Sequence, residues 1–208
     1  IEDVLRLARG MSLKSACAGL DLGGGKTVII ADPKKVKGNE LFWRSYGRFI
    51  ESLNGRYITA EDVNTSTEEM EFVAKETSFV AGLRSKSGDP SPMTAYGVYM
   101  AMKASAFKAF GSDNLGGKKI SVQGLGHVGL VLCDYLAKDN AELIVSDIDS
   151  DKVRKVVELY KAKEVNVNAI YEQDVDIFAP CGLGAIINDE TIPKLKCKVI
   201  AGSANNVL

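Results

Sequence analysis

The sequence predicts an α/β protein whose second part forms a parallel sheet with crossover helices. After Gly117, β-branched apolar runs alternate with amphipathic stretches at short intervals, and a glycine-rich turn follows the first of these runs. The 208-residue chain is also long enough for two small domains. The loop composition of residues 85–92 marks the boundary, so residues 1–92 and residues 93–208 are predicted to form separate α/β domains.

The composition excludes several classes of protein. The formal net charge is −1, so no positive surplus indicates binding to nucleic acid or to an anionic membrane. No apolar run approaches the roughly 20 residues of a membrane span, and no signal peptide is recognisable. With four scattered cysteines and one histidine, we expect no metal site and reduced thiols in a cytoplasmic protein.

The first domain is predicted to contain two strands and a helix. Lys26–Asp32 is β-branched and apolar, which predicts a buried strand. Apolar residues at helical spacing predict a helix over residues 40–54, and residues 56–59 predict a short strand. The polar, proline-containing loop over residues 85–92 is the candidate hinge.

The second domain is predicted to begin with a long helix over residues 93–110. Alternating elements follow, with strands over residues 119–123, 142–147, 175–180 and 198–202 and helices over residues 127–137, 150–160 and 190–195. This alternation favours a parallel sheet with helices as the connections between its strands.

A glycine-rich turn joins the first strand of this domain to its next helix. Residues 124–129 read Gly-Leu-Gly-His-Val-Gly, a pattern typical of dinucleotide binding when it lies between a strand and a helix. Gly124 permits the tight turn, Gly126 lets a pyrophosphate approach the backbone, and Gly129 lets helix and strand pack closely. The pyrophosphate would then bind at the helix N-terminus. The domain is therefore predicted to be of the Rossmann type.

An acidic residue at the end of the second strand predicts NAD as the cofactor. Asp147 lies about 20 residues after the glycines, where a carboxylate accepts hydrogen bonds from the ribose of NAD. It would repel the additional phosphate of NADP, and Asp149 and Asp151 add to this repulsion. His127 and Val128 occupy variable positions of the turn, where they can contact pyrophosphate, and His127 is not expected to be catalytic. The alternative is a similar α/β domain that binds no nucleotide.

Residues 19–26, Gly-Leu-Asp-Leu-Gly-Gly-Gly-Lys, form the candidate catalytic segment of the first domain. Successive glycines leave bare backbone for a substrate to approach, and Gly24 is assigned to this substrate site. Lys26, if walled by apolar residues, can have its pKa lowered and act as an acid or base. Lys14 supplies a second cation for an anionic substrate group. The alternative is a flexible turn with a solvated lysine.

Four segments of the chain together resemble the glutamate/leucine/phenylalanine/valine dehydrogenases, and the leucine dehydrogenase branch most of all. They are residues 14–26, 55–65, 88–95 and 201–206. The resemblance implies reversible, NAD-dependent oxidative deamination of an L-amino acid to its 2-oxo acid and ammonia. It also implies a homo-oligomer, and a cleft between a catalytic domain and a dinucleotide-binding domain. Compared with the family, the chain is expected to be a piece of a longer protein, truncated in the second domain.

The resemblance assigns roles to individual residues. Lys14 matches the lysine that holds the substrate α-carboxylate, and Lys26 matches the catalytic lysine that polarises the substrate and activates water. Asp62 matches the aspartate that moves protons to and from the substrate nitrogen. Thr94 and Asn206 match residues that hold the nicotinamide amide. As structural alternatives, Asp62 or Thr94 could cap a helix and Lys14 could be a surface lysine.

The remaining assignments concern the nicotinamide region and the substrate pocket. Ala179, Pro180 and Cys181 follow the carboxyl end of a strand, where ligands bind in open sheets, and Cys181 is expected to pack rather than to act as a nucleophile. Ala60 matches a pocket position, and its small apolar side chain favours an aliphatic, branched-chain substrate. The alternatives are a phenylalanine or glutamate dehydrogenase of the same family, or a non-catalytic NAD-binding fragment.

Overall fold

The computed structural model describes residues 1–85 and 88–207. The chain divides into two units, Ile1–Pro90 and Ser91–Leu208, each with its own hydrophobic core. The division lies within the loop predicted over residues 85–92, of which Lys86 and Ser87 are outside the described residues, as is Leu208.

The described residues of the first unit form four helices, which are Glu2–Cys17 (α1), Pro33–Val36 (α2), Glu40–Ser52 (α3) and Thr67–Ala74 (α4). The predicted helix over residues 40–54 is confirmed as α3, which begins where the Asn39 side chain accepts a hydrogen bond from the Phe42 amide at 3.1 Å. Side chains of α3 and α4 and of the segment after α4 form the core of this unit; its buried members are Trp43, Met70, Val73, Val80 and Leu83.

The strand predicted over Lys26–Asp32 is wrong. The described residues include no strand paired with this segment, and the Val28 and Ile30 side chains are 51% and 88% exposed. Only Ile29 packs against the core. β-branched residues favour an extended backbone, but a strand also requires a neighbour that completes its hydrogen bonds. The short strand expected over residues 56–59 is likewise reduced to one bridge, from Thr59 to Val80.

The second unit confirms the predicted parallel α/β class. It begins with the helix Ser91–Phe110 (α5). Strands and helices then alternate as Lys119–Gln123 (β1), His127–Lys138 (α6), Glu142–Ser146 (β2), Ser150–Tyr160 (α7), Lys163–Glu164 (β3), Ile177–Pro180 (β4) and Val199–Ile200 (β5). All the pairings are parallel and the strand order is β3-β2-β1-β4-β5.

The sheet departs from the sequence prediction at its margins. β3 was not predicted, because its two residues are exposed and show no strand pattern. β5 is shorter than residues 198–202, and the helix predicted over residues 190–195 is reduced to a 3₁₀ turn at Ile192–Lys194. The central strands are specified by buried apolar residues, whereas these short peripheral elements depend on their neighbours.

The position of β1 decides where a ligand can bind. β1 lies between β2 and β4, and the chain passes from β1 to β2 and β3 on one side before it crosses to β4 and β5 on the other side. The carboxyl ends of β1 and β4 therefore meet at the switch point of the sheet, where doubly wound folds form their ligand crevice. In the described part of the chain, no helix combines the length and the apolar character needed to cross a membrane.

Candidate functional site

The glycine loop of the first unit lies against helix α1 on one side and an aromatic ring on the other. The Gly24 amide donates a hydrogen bond to the Ser12 hydroxyl at 2.9 Å. A Cβ on Gly24 would lie 2.6 Å from the Ser12 nitrogen, and one on Gly25 would lie 2.7 Å from the Tyr57 ring. Both glycines are therefore required by close packing, which leaves Lys26 in a defined position after them.

Lys26 and Asp62 form an ion pair although they are 36 residues apart in the sequence. The Lys26 side chain is 20% exposed and that of Asp62 is 51% exposed, so the pair lies at the surface of its unit and is open to a ligand. The structure therefore gives Lys26 a carboxylate partner, in place of the purely apolar walls that we expected from the sequence.

The loop that carries Asp62 is held by its own hydrogen bonds. The Thr65 hydroxyl accepts from the Asp62 amide at 2.7 Å and donates to the Asp62 carbonyl at 2.9 Å. The second carboxylate oxygen of Asp62 accepts from the Val63 amide at 2.9 Å. Asp62 does not cap α4, because Ser66 occupies the N-cap position. Its carboxylate is thus directed towards Lys26 by the loop rather than engaged by a helix.

Tyr46 links the segments that carry Lys26 and Asp62. Its hydroxyl lies 3.1 Å from the hydroxyls of both Thr27 and Thr59, and burial raises the pKa of its phenol. Sequence reasoning did not identify Tyr46 as a residue of the site. The available signal was its polar tip, which needs a partner when the ring is buried.

The other predicted substrate residues of the first unit are exposed. Lys14 lies in the last turn of α1, the helix to which Gly24 is hydrogen bonded. Ala60 lies between the buried Thr59 and the Asp62 loop. The structure thus brings Lys26 and Asp62 into contact and connects the Lys14 helix to the same loop through Gly24.

In the second unit the three glycines of the turn have different surroundings. Gly124 has a φ of +91°, and a Cβ there would lie 2.7 Å from the Gly182 nitrogen. A Cβ on Gly129 would clash with the Gly124 carbonyl oxygen, whereas a Cβ on Gly126 would meet nothing within 4 Å. The first and third glycines thus serve the fold, while the second leaves open space beside the backbone.

The N-terminus of α6 opens onto this space. Gly126 is its N-cap residue and supplies no side-chain hydrogen bond, so the first amides of the helix are available to an anion. His127 is the first residue of α6 and is exposed, whereas Val128 is partly buried against the core.

Asp147 fixes the glycine turn to the end of β2. One carboxylate oxygen accepts from the Leu125 amide at 2.5 Å and the other accepts from the Asp149 amide at 2.8 Å. Its negative charge is therefore held beside the turn by two backbone groups. Asp149 is the N-cap of α7, where its side chain accepts from the Asp151 amide at 3.0 Å.

The carboxyl end of β4 brings together the residues assigned to the nicotinamide region. Ala179 and Pro180 are the last residues of β4 and are buried. Cys181 follows them, and burial raises the pKa of its thiol, which makes it a poor nucleophile. The side-chain nitrogen of Asn206 is buried and has no hydrogen-bond partner among the described residues. Thr94 lies inside the first turn of α5, since that helix begins at Ser91, and so it is not the N-cap.

No group of three or more His, Cys, Asp or Glu residues that could hold a metal ion occurs within residues 1–85 and 88–207. One unit offers the amine of Lys26 and the carboxylate of Asp62 in contact. The other unit offers an open glycine turn with a fixed negative charge beside it.

Comparison with known proteins gives relatives that match the chain along its whole length. Residues 1–79 match the family model described as Glu/Leu/Phe/Val dehydrogenase, dimerisation domain. The leucine dehydrogenase of Thermoactinomyces intermedius is 58% identical over 211 residues, which cover 100% of this chain and 57% of the relative. The phenylalanine dehydrogenase of Lysinibacillus sphaericus is 46% identical over 218 residues, which cover 100% of this chain and 56% of the relative.

A solved structure shows the same similarity. The L-tryptophan dehydrogenase of Nostoc punctiforme superposes with a TM-score of 0.71 at 45% identity, covering 100% of this chain and 58% of that one. The chain thus spans little more than half the length of the relatives that it matches.

Proposed function

Because the chain belongs to the Glu/Leu/Phe/Val dehydrogenase family, we propose that it is part of an NAD-dependent amino-acid dehydrogenase. The reaction is the reversible oxidative deamination of an L-amino acid, with a branched aliphatic side chain, to its 2-oxo acid and ammonia. The observation that carries the proposal is the Lys26–Asp62 ion pair at the end of the glycine loop, because one acid and one base suffice for this chemistry.

In the first half of the proposed reaction, Lys14 binds the substrate α-carboxylate and Asp62 accepts a proton from the substrate ammonium. The amine is then neutral, and its lone pair can form the C=N bond as hydride leaves the α-carbon. The chemistry that NAD would supply when bound is that of a hydride acceptor. Lys26 releases its proton to solvent in this half, so that its neutral amine can act as the base for the water that reacts next.

In the second half, Lys26 takes a proton from a water molecule while the water oxygen adds to the imine carbon. Asp62 returns its proton to the nitrogen, the C–N bond breaks and ammonia leaves. The remaining hydroxyl proton passes to the departing ammonia, which gives the 2-oxo acid and ammonium and leaves Lys26 protonated and Asp62 ionised, as at the start. The contact between Lys26 and Asp62 supports this division of roles, because it places the base for water and the acid for nitrogen beside each other.

The second unit supplies the residues that would hold NAD. Gly124, Gly126 and Gly129, with the amides at the start of α6, suit a pyrophosphate, and His127 and Val128 lie at the same helix end. Two observations support the fit: the open space at Gly126, and the Asn206 amide nitrogen, which has no hydrogen-bond partner within residues 1–85 and 88–207.

The remaining cofactor contacts follow from the same arrangement. Asp147 would accept hydrogen bonds from the ribose and disfavour NADP. Thr94, Asn206 and residues 179–181 would hold the nicotinamide end. The three described features that support NAD are thus an open turn, a fixed carboxylate and an unpartnered amide.

The proposed aliphatic side chain of the substrate is inferred from Ala60. Its small apolar side chain beside Asp62 suits an aliphatic group, and the similarity to a leucine dehydrogenase favours the same choice. The phenylalanine and tryptophan dehydrogenases among the relatives favour an aromatic alternative. We further propose a cytoplasmic homo-oligomer, because the family model that matches residues 1–79 describes a dimerisation domain.

NADH formation by the full-length protein tests the proposal. Leucine, valine and isoleucine should be oxidised faster than phenylalanine, tryptophan and glutamate, with NAD preferred to NADP. Lys26→Ala and Asp62→Asn should each lower kcat by roughly 10²–10⁴-fold. Lys34→Ala, which changes an exposed lysine of α2, should leave kcat unchanged.

The other outcomes each identify an alternative. Preferred oxidation of an aromatic amino acid or glutamate would retain the mechanism and reject the assignment of Ala60. NAD binding without turnover of any amino acid would support the non-catalytic fragment and reject the roles of Lys26 and Asp62.

A further inference from the structure

We infer that Ser12 is a positioning residue, which sets the register between the helix that carries Lys14 and the loop that carries Lys26. The inference rests on the proposed function, because it concerns how two lysines are held for one substrate. Ser12 itself has no predicted contact with the substrate or cofactor.

The Ser12 hydroxyl joins the loop to the helix through two hydrogen bonds. It accepts from the Gly24 amide at 2.9 Å and donates to the Ala8 carbonyl, one turn earlier in α1, at 3.2 Å. The bond to Ala8 fixes the orientation of the hydroxyl, so its lone pair is directed at the loop. An alanine at this position would leave the Gly24 amide without this partner.

The absence of a side chain at Gly24 supports the same contact independently. A Cβ on Gly24 would clash with the Ala8 carbonyl oxygen and would lie 2.6 and 2.7 Å from the nitrogen and hydroxyl oxygen of Ser12. The loop backbone therefore rests directly on the backbone of α1 at this point. Only a glycine permits such an approach, and only a hydroxyl at Ser12 turns it into a hydrogen bond.

The two partners of the Ser12–Gly24 hydrogen bond each lie close in sequence to one of the two lysines. Lys14 is two residues beyond Ser12, and Lys26 is two residues beyond Gly24. In the proposed reaction these lysines act on the carboxylate and on the carbon bonded to it, so their spacing must be correct within about 0.5 Å. A shift of the loop along the helix would change that spacing.

Helix α1 has little else to fix its position within the described residues. None of its residues is buried, so apolar packing contributes little to its placement. A single hydrogen bond at such a contact has more influence on geometry than it would inside a packed core. We therefore expect the loss of the Ser12 hydroxyl to affect substrate binding more than the stability of the protein.

The test compares Ser12→Ala with Ser12→Thr in the full-length protein. Ser12→Ala should raise KM for the amino acid by about 3- to 10-fold, with a smaller fall in kcat and no change in KM for NAD. Ser12→Thr keeps the hydroxyl and should stay within about twofold of the wild type. Ser15→Ala, at the other serine of α1, is the matched control and should have no effect.

Hydrogen exchange at the Gly24 amide provides a readout that does not depend on turnover. The amide should be protected in the wild type and in Ser12→Thr, and should exchange faster in Ser12→Ala. Protection that is equal in all three proteins would overturn the inference, as would a Ser12→Thr variant as defective as Ser12→Ala.

The kinetic results separate the inference from the function on which it rests. An active wild type with an unchanged Ser12→Ala variant would overturn the inference and leave the proposed function intact. A wild type that oxidises no amino acid would overturn the proposed function, and the role of Ser12 in catalysis with it, whatever the exchange data show.

Discussion

The Lys26–Asp62 ion pair of the first unit contributes little to the stability of the fold. The Lys26–Asp62 pair is partly exposed, and ion pairs in such surroundings contribute only about 0–1 kcal/mol to folding. Its neighbours Thr65 and Tyr46 fix the loops on either side. Substitution of either member of the pair should therefore leave the fold nearly unchanged, so that the loss of turnover expected from the proposed reaction can be measured in a folded protein.

The four cysteines differ in reactivity because they differ in burial. Cys17 is exposed, whereas burial raises the pKa of Cys133 to about 12 and also raises the pKa of Cys181 and Cys197. A thiol reagent at pH 8 should therefore modify one cysteine rapidly in the folded protein, because the thiolate is the reactive form. Following the absorbance of Ellman's reagent measures this directly.

Cys17→Ser provides the control for the thiol measurement. This variant should lose the rapid reaction of Cys17, and unfolding in denaturant should restore reaction of Cys133, Cys181 and Cys197. Rapid modification of Cys181 in the folded protein would contradict its assignment as a packing residue.

Among the elements, α4 shows how one buried carboxylate can organise several segments. Glu69 is fully buried in the capping box of α4, where it accepts from the Ser66 amide at 2.8 Å. Its other oxygen accepts from the Gly38 amide at 3.0 Å, which fixes the segment before α3. Burial by itself would raise the pKa of Glu69, but these hydrogen bonds outweigh it and hold the pKa below its ordinary value.

This lowered pKa predicts a specific loss of stability in acid. A carboxyl with a lowered pKa in the folded state stabilises the protein above its ordinary pKa of about 4.3. That stability is lost as the pH falls below this value and through the folded-state pKa. Glu69→Gln should therefore be less stable than the wild type at pH 7, with a smaller loss of stability as the pH falls from about 5 to 3.

Urea unfolding at several pH values measures the effect of Glu69→Gln. Glu68→Gln is the matched control, because it changes an exposed glutamate in the same turn and should keep the wild-type pH dependence. A Glu69→Gln variant that loses as much stability in acid as the wild type would contradict the assignment.

The individual helices and strands also show which elements the sequence could predict. β1, α6 and α7 agree with their predicted boundaries to within one residue, because the buried residues of the two helices recur with a helical period and those of β1 form one continuous buried run. The residues of Lys26–Asp32 are as apolar as those of β1, but they have no neighbouring strand in the described chain. Local composition therefore predicts where a strand is possible, and pairing decides whether it forms.

At the scale of the whole molecule, the carboxylate of Asp147 in the second unit predicts a preference for NAD over NADP. In Asp147→Asn the remaining side-chain oxygen can still accept from the Leu125 amide, while the negative charge beside the turn is removed. We expect the preference for NAD over NADP to fall roughly tenfold, because the phosphate of NADP is no longer repelled. Steady-state KM values for both cofactors measure this preference.

The same measurement has a control and a contrary outcome. Asp174→Asn changes an aspartate elsewhere in this unit, after the 3₁₀ turn at Ile170–Glu172, and should leave the preference unchanged. An Asp147→Asn variant with the wild-type preference would show that the carboxylate serves the turn and not the choice of cofactor.

The sequence alone determined the features that local pattern encodes. The alternation of strands and helices predicted the parallel sheet, the glycines at residues 124–129 predicted the turn after β1, and four short segments predicted the family. These signals are local because periodicity, turn chemistry and motif spacing are properties of neighbouring residues.

Only the tertiary structure decided the contacts between distant segments. It paired Lys26 with Asp62, placed Tyr46 between Thr27 and Thr59, and seated Gly24 on Ser12. Each of these contacts joins residues on different segments, and hydrogen bonds between such residues leave no periodic pattern in the sequence. They form because the folded backbone brings the segments within reach, where a buried or partly buried polar group must find a partner.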